Sequence, residues 1–565
     1  MLILLGSLLI QSYSFAQDKS EGKPLLSGKG ITTSNGMVVS AHHEGSKIGA
    51  EILEKGGNAV DAAVATGFAL AVCYPEAGNI GGGGFMVIRT SDGKTNVIDY
   101  REKAPQRASR NMFLDSAGKV TDAMSTSTLF ASGVPGSVDG LISVHTKYGR
   151  LPFREVIQPA IDLAEKGFTI SERQAATLNT NRANFISRND SGTPFVKDSL
   201  WKGGDLLIQH DLAETLKRIR DHGRDGFYSG ETAALIIKEM QRGKGIISVS
   251  DLNDYRSVFR NPVSTMYRGY RIITVPPPSS GGIILTQLLR MVEPFNINEM
   301  GFHSVNTIHL VVECEKRAFA DRAEYLGDPD FMKISPEKLI RAKYLRNRMN
   351  SFNSEKASFS TDIKPGNPDG IESEETTHYS VVDASGNAVS VTTTLNGGFG
   401  SSIIVNGAGF ILNNQMDDFS LKPGFPNMYG LVGGEANSIQ PGKRMLSSMT
   451  PVIVEKNNNL FMVAGSPGGS TIPTTVFQVI INVIDFGMDI QSAVDAGRFH
   501  HQWLPDYISI EKNAFDSLAI NHLEIMGHAF SERPVIGSVN AILILRDGKR
   551  AGGADSRAEN SSCGY

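Results

Sequence analysis

The sequence predicts an α+β protein, and two observations carry that prediction. A run rich in Thr, Tyr and Val at 376–395 and an apolar run broken by a turn at 456–459 within 452–464 read as antiparallel hairpins. Segments rich in Ala, Leu and Val at helical spacing read as helices at 45–55, 59–73, much of 135–240 and 304–326. The chain has 565 residues, enough for one very large core or about two to four domains. It is 40% hydrophobic and 20% charged, with a net charge of −4. No basic excess is available to neutralise phosphates, so no nucleic-acid partner is expected. Small anionic substrates need only one or two positioned cations and stay open.

Taken in order, residues 2–16 form an apolar run too short to span a bilayer, and Ser14-Phe15-Ala16 suits a small-residue cleavage site. Residues 1–16 therefore read as a signal peptide, and the protein as periplasmic or secreted. The first cysteine, Cys73, lies too far on to accept a lipid, so no stable membrane anchor is expected. Cys73, Cys314 and Cys563 make no disulfide framework. No Cys or His spacing suits zinc, and neither a metal nor a cofactor is expected. The adjacent pairs His42-His43 and His500-His501 do not share a helical face and read as structural.

The helix at 45–55 ends at Gly56-Gly57, and Asn58 is placed to cap the next, which Pro75 stops. Four glycines, 81–84, precede a strand at 85–90. No Lys-Ser/Thr follows them and no helix comes next, so they read as a tight turn with close backbone packing rather than a phosphate loop. A strand at 96–100 leads to Arg101, by itself one surface cation among many. Residues 135–240 read as helical scaffold, and 276–282 as a rigid loop before a helix. The clearest amphipathic helix, 304–326, puts Val305, Ile308, Val312, Phe319, Ala323 and Leu326 on one face, and its charges read as a solvated or intersubunit face. Residues 351–375 have almost no apolar side chains and read as a mobile, solvated loop.

Residues 376–383 form the first strand of a hairpin that turns at Ala384-Ser385-Gly386, with Gly386 at positive φ, and returns over 387–395. With Asp383 facing Asn387, Thr394 falls opposite Thr376. Facing Cβ atoms lie about 4.5–5.5 Å apart, so the two hydroxyls come within reach. Thr is a poor nucleophile unless a base stands beside it. A cut between Glu375 and Thr376 supplies one, because an α-amine with a pKa of roughly 7.7–8.0 takes the hydroxyl proton near neutrality.

Downstream, 409–412 reads as a strand running into the polar cluster Asn413–Asp418. The hairpin at 452–464 brings Ser447-Ser448 towards Gly468-Gly469. The serines can donate hydroxyls to a carboxylate, and the glycines can point N–H groups at an oxyanion. Each oxyanion donor is typically worth about 100- to 1,000-fold in rate. Ser470 or Thr471 reads as a helix cap, with Pro473 in the first turn.

Thr376-Thr377-His378-Tyr379-Ser380-Val381-Val382-Asp383, with these downstream motifs, closely resembles the γ-glutamyltransferases (γ-glutamyltranspeptidases) of the N-terminal nucleophile hydrolase superfamily, from about residue 28 to the C-terminus. The resemblance implies a four-layer αββα sandwich made from one precursor. A large subunit, 17–375, and a small catalytic subunit, 376–565, would follow from cleavage between Glu375 and Thr376. It implies that Thr376 is the nucleophile, with Thr394, Gly468 and Gly469 in the catalytic centre. Arg101 would grip the donor's α-carboxylate, Asn396, Gln415 and Asp418 its α-amino group, and Ser447 and Ser448 would join the carboxylate side. Tyr429, in the Gly- and Pro-rich stretch 423–434, would close a lid over the glutamyl pocket. The implied substrates are glutathione and related γ-glutamyl amides, with water, amino acids or dipeptides as acceptors. Ala554-Asp555-Ser556-Arg557 stands where the family commonly has Asp-Pro-Arg, which puts the anchoring of the last loop in question. Two alternatives remain. One is a related acylase for glutaryl or cephalosporin-type amides, and the other is an exported binding protein on this fold without turnover.

Overall fold

A computed structural model describes residues 25–190, 192–332, 335–364 and 376–565. The signal-peptide reading, Glu375 and the stretch 365–375 lie outside the described residues. Among the described residues, two antiparallel sheets form the middle of the fold. An eight-stranded sheet runs in the order Leu26–Gly28, Ser561–Gly564, Met37–Ser40, Thr377–Val382, Ala388–Thr394, Gly83–Arg89, Thr95–Asp99, Val258–Arg260. A seven-stranded sheet runs Thr32–Thr33, Arg550–Ala554, Asn540–Ile544, Asn459–Ala464, Val452–Lys456, Tyr270–Thr274, Val263–Tyr267.

Strand alternation sorts the side chains into layers. On the first sheet Val38, Met86, Ile88, Ile98, Tyr379 and Val381 join a core with the helices His43–Glu54, Ala59–Cys73 and Phe153–Lys166. Their neighbours Met37, Val39, Phe85, Val87, Val97 and Val382 face the second sheet. Beyond that sheet lie the helices Gly281–Val292, Val305–Tyr325 and Ile472–Ile484. The result is the expected αββα sandwich.

Local expectations hold where short-range chemistry decides. Asn58 caps Ala59–Cys73 through a full capping box with Asp61. The hairpin at 376–395 pairs Thr377 with Thr393 and Val382 with Ala388, and Gly386 has φ +84°. The second hairpin pairs Val452 with Ala464 and slips by one residue at a bulge between Val454 and Glu455.

Three expectations need correction. The charged face of Val305–Tyr325 is not solvated, for Glu313, Glu315, Lys316, Arg317, Asp321 and Arg322 are all buried. The helix is packed on every side, and most of these charges are paired inside, as in Arg317 Nη1 to Glu313 Oε2 at 2.6 Å. Part of that face does meet the downstream segment, since the His501 amide donates to Glu315 Oε2 at 2.8 Å. Residues 351–364 are mostly exposed, as expected, but they are docked at Ala357, Ser360 and Ile363, which are buried. Their backbone carbonyls at Ser360 and Ile363 accept from Trp503 Nε1 at 2.8 and 3.0 Å, and the Ser360 amide donates to Asp506 at 2.8 Å. Finally, 409–412 is buried coil with a single bridge, Ile404 to Ile411, instead of a strand. Among the described residues no helix is long and apolar enough to cross a membrane.

Candidate active site

The hairpin's inward face is polar and fully bonded. His378 Nδ1 meets Thr392 Oγ1 at 2.9 Å and its Nε2 meets Ser380 Oγ at 3.1 Å. Ser380 and Ser390 donate across to the Asn540 and Ala464 carbonyls of the second sheet, each at 3.0 Å. Burial pushes His378 down to about 3. Neutral and engaged at both nitrogens, it braces the two strands of the hairpin and is not a base. The alternation that turns residues 378 and 380 inward carries Thr376 to the same side, one step beyond the Thr377–Thr393 pair and opposite Thr394. Both threonines are buried and line one pocket.

The four-glycine run lies against the strand that bears Thr394. A Cβ on Gly82 would sit 2.1 Å from the Thr394 carbonyl oxygen, and one on Gly84 would sit 2.4 Å from that of Thr392. Asn79 Nδ2 also donates to the Thr394 carbonyl at 3.0 Å. The chain then turns sharply at Asn396, φ +80°, whose amide returns to Thr394 Oγ1 at 2.8 Å.

Gly468 and Gly469 both have positive φ, +130° and +52°, which favours glycine. Neither amide donates a backbone hydrogen bond among the described residues. The expected cap is modified. A short 3₁₀ turn, Gly469–Thr471, precedes Ile472–Ile484, and Thr471 stands at the cap position without a capping bond. Its hydroxyl instead donates to the Gly468 carbonyl at 2.8 Å. That carbonyl is thereby occupied while the glycine N–H groups stay available.

The pocket brings together Arg101, Thr376, Thr394, Asn396, Gln415, Asp418, Tyr429, Ser447, Ser448 and Gly469, with Arg322 added. Of the expected site residues that are described, only Gly468 is absent from this wall. It lines an adjoining cavity of about 210 Å³ on the other side of Thr376, with Glu76, Arg173 and Asn560. Arg101 is not a surface cation, being fully buried. It bonds the Asp418 carboxylate, Glu102 Oε2 at 3.3 Å, and the carbonyls of Met445 and Leu446 at 3.2 and 3.4 Å. Burial, opposed by Arg101, pushes Glu102 up to about 7.

Among the described residues, three polar atoms of the pocket are buried without a hydrogen-bond partner: Asn396 Oδ1, Gln415 Oε1 and Ser448 Oγ. Their neighbours set the amide orientations. Asn396 Nδ2 donates to the Asn414 carbonyl at 3.0 Å, and Gln415 Nε2 to Asp418 Oδ2 at 2.6 Å. The serine pair is held from behind by the 276–282 loop, whose role the sequence did not reveal. The Ser447 amide donates to the Pro278 carbonyl at 2.8 Å, and the Ser280 amide and hydroxyl both donate to the Ser447 carbonyl at 2.7 Å.

Residues 423–434 cover this chamber. Tyr429 is buried, its hydroxyl donates to the Asn396 carbonyl, and its ring would meet a Cβ on Gly469 at 3.0 Å. Asn427 Oδ1 accepts from the Tyr429 and Leu431 amides at 3.0 and 3.2 Å. The space left is about 20 Å³, room for about one water. Among the described residues no group of three or more His, Cys, Asp or Glu is arranged to hold a metal ion. At the C-terminus Ser556 does not loosen the last loop. Its amide donates to Asp495 at 2.9 Å, and Asp555 and Arg557 pair with Arg498 and Glu511.

Known proteins resemble this chain over most of its length. The gamma-glutamyltranspeptidase family model matches residues 45–565. The glutathione hydrolase proenzyme of Escherichia coli is 45% identical over 542 residues, 95% of this chain and 93% of that protein. The crystal structure of cephalosporin acylase from Bacillus halodurans superposes with a TM-score of 0.83 at 25% identity, covering 98% of this chain and 99% of that one. The crystal structure of Helicobacter pylori gamma-glutamyltranspeptidase covers 60% of this chain and 95% of its own, with a TM-score of 0.57 at 43% identity.

Proposed function

The chain belongs to the gamma-glutamyltranspeptidase family, and on that premise we infer that it is a self-processing γ-glutamyltransferase and glutathione hydrolase with Thr376 as nucleophile. In the precursor the Thr376 hydroxyl attacks the Glu375 carbonyl, the acyl group passes from N to O, and water hydrolyses the ester. Large and small subunits, 17–375 and 376–565, result. The freed α-amine of Thr376 then takes the hydroxyl proton, and Thr376 attacks the γ-amide carbonyl of the donor. The Gly468 and Gly469 amides receive the oxyanion. The protonated amine returns its proton to the leaving nitrogen, leaving a γ-glutamyl ester that water, an amino acid or a dipeptide resolves.

The observation that carries this reading is the set of buried, unpartnered pocket atoms. Asn396 Oδ1 and Gln415 Oε1 are acceptors, and with the Asp418 carboxylate they supply one partner for each N–H of an ammonium. Ser448 Oγ is a donor, and with a guanidinium it suits a carboxylate. Together they fit a free amino acid headgroup. A zwitterion also resolves the Arg101–Asp418 pair. Separating a buried pair leaves two uncompensated charges, and a headgroup carrying both opposite charges satisfies each of them.

A glutaryl amide, which lacks the amine, would leave Asp418 facing no cation, which argues against the acylase alternative. We assign the protein to the periplasm or exterior, with residues 1–16 as its export signal. The test is hydrolysis of γ-glutamyl-p-nitroanilide by purified protein, with and without glycylglycine, beside glutaryl-p-nitroanilide. Efficient use of the first, raised by glycylglycine, is expected. Preference for the glutaryl compound would overturn the assignment.

A further inference from the structure

The pocket holds two buried arginines in opposite states of satisfaction. Arg101 spends its guanidinium on two carboxylates and two backbone carbonyls. Arg322, on the helix Val305–Tyr325, is 5% exposed and lines the same pocket. Its one hydrogen bond among the described residues runs from Nε to Ser280 Oγ at 3.2 Å, and it pairs with no carboxylate there. A guanidinium carries five N–H donors in a planar fork, so most of this one is unspent.

A buried charge in that condition is costly unless something of opposite sign joins it. Asp418 is the carboxylate whose field supports it, but Asp418 is already committed to Arg101 and Gln415. Burial lowers Arg322 to about 10, which leaves it protonated at neutral pH. The tether also sets its place. Ser280 Oγ accepts from Arg322 and donates to the Ser447 carbonyl, so the guanidinium is fixed beside the serine pair. Ser448 Oγ, the unpartnered donor, belongs to the same end of the pocket.

We propose that Arg322 is a second cation of the donor's carboxylate subsite, joining Arg101 and Ser448 at the α-carboxylate and leaving Asp418 to the α-ammonium. The idea rests on the γ-glutamyl reading above and adds a specificity-determining residue to it. Donors whose α-carboxyl is converted to an amide lose their partner at Arg322.

The experiment compares γ-glutamyl-p-nitroanilide with its α-carboxamide on wild type, Arg322→Gln and Arg322→Lys, each checked for cleavage into two chains. For Arg322→Gln, KM for the acid should rise about 10- to 100-fold, the range of a lost charge-assisted hydrogen bond. Its kcat should change much less, and kinetics on the α-carboxamide should stay as in wild type. Arg322→Lys keeps the charge without the fork and should show a smaller rise, again for the acid alone. Should Arg322→Gln fail to give the cleaved protein, the Lys variant decides. Equal losses on both substrates would mean that Arg322 only supports the loop at Ser280, and would overturn the proposal. So would unchanged kinetics on the acid. A wild type inactive on both anilides would instead overturn the proposed function, whatever the variants do.

Discussion

The two halves of the active site are held by different forces. The nucleophile hairpin lies in the middle of the eight-stranded sheet, laddered to Met37–Ser40 on one side and Gly83–Arg89 on the other. It is also bolted to the second sheet through the Ser380 and Ser390 hydroxyls and the His378 carbonyl, which accepts from Asn540 Nδ2 at 2.8 Å. The headgroup pocket is assembled from loops. Its walls hang on side-chain contacts such as Tyr429 to the Asn396 carbonyl, the Met428 amide to Asp417 at 2.9 Å, and Arg101 to Asp418. Reacting atoms must be held to a near-attack geometry, which a sheet ladder provides. A recognition site with about 20 Å³ of space must open to admit a substrate, and loops allow that. The sheet ladder thus carries the proposed nucleophile, and loops carry the proposed headgroup subsite.

The largest effect should come from the stiff half. Thr376→Ala should leave one uncut chain with no γ-glutamyl activity, because the same hydroxyl serves cleavage and turnover. Gel electrophoresis and the anilide assay read both outcomes, and a cut or active variant would break the comparison at its base.

In the loop half, cleavage and recognition should separate. Arg101→Ala and Asp418→Ala should each lower kcat/KM for γ-glutamyl donors about 10- to 150-fold, the worth of a charged hydrogen bond. Autocleavage should persist, because that reaction involves no free headgroup. Unchanged kinetics in a cleaved variant would remove that residue from the donor site.

A smaller, selective effect is expected from the cover. Deleting 424–433 should improve cleavage of poly-γ-glutamate relative to glutathione, since Tyr429 and Leu431 roof the pocket. If the ratio of the two rates does not move, this stretch does not select by size.

The smallest effect concerns Glu102, raised from an ordinary 4.5 to about 7 by burial. A carboxyl with a raised folded pKa gives stability that is full below its unfolded value and lost as pH rises through the folded one. Wild-type Tm should therefore fall relative to Glu102→Gln between about pH 4.5 and 7. Parallel Tm curves across that window would show that Glu102 does not titrate there.

The stiff half was also the more legible in the sequence. Alternation and a Gly turn sufficed to register the Thr377–Thr393 and Val452–Ala464 pairs, because hairpins are short-range objects. What escaped were features made by distant segments meeting. Arg101 reads as a surface cation until residues 418, 445 and 446 close around it. The charges of Val305–Tyr325 read as solvated because one helical face says nothing about what packs on the others. Residues 351–364 dock largely through backbone atoms, which composition does not reveal. Arg322 and Ser280 entered the site only through tertiary contact.

That Thr376 becomes an N-terminus is tested by N-terminal sequencing of the smaller fragment of purified wild-type protein, with intact mass as a check. The sequence Thr-Thr-His-Tyr is expected. A fragment beginning at any other residue, or a fully active protein that remains one uncut chain, would contradict it.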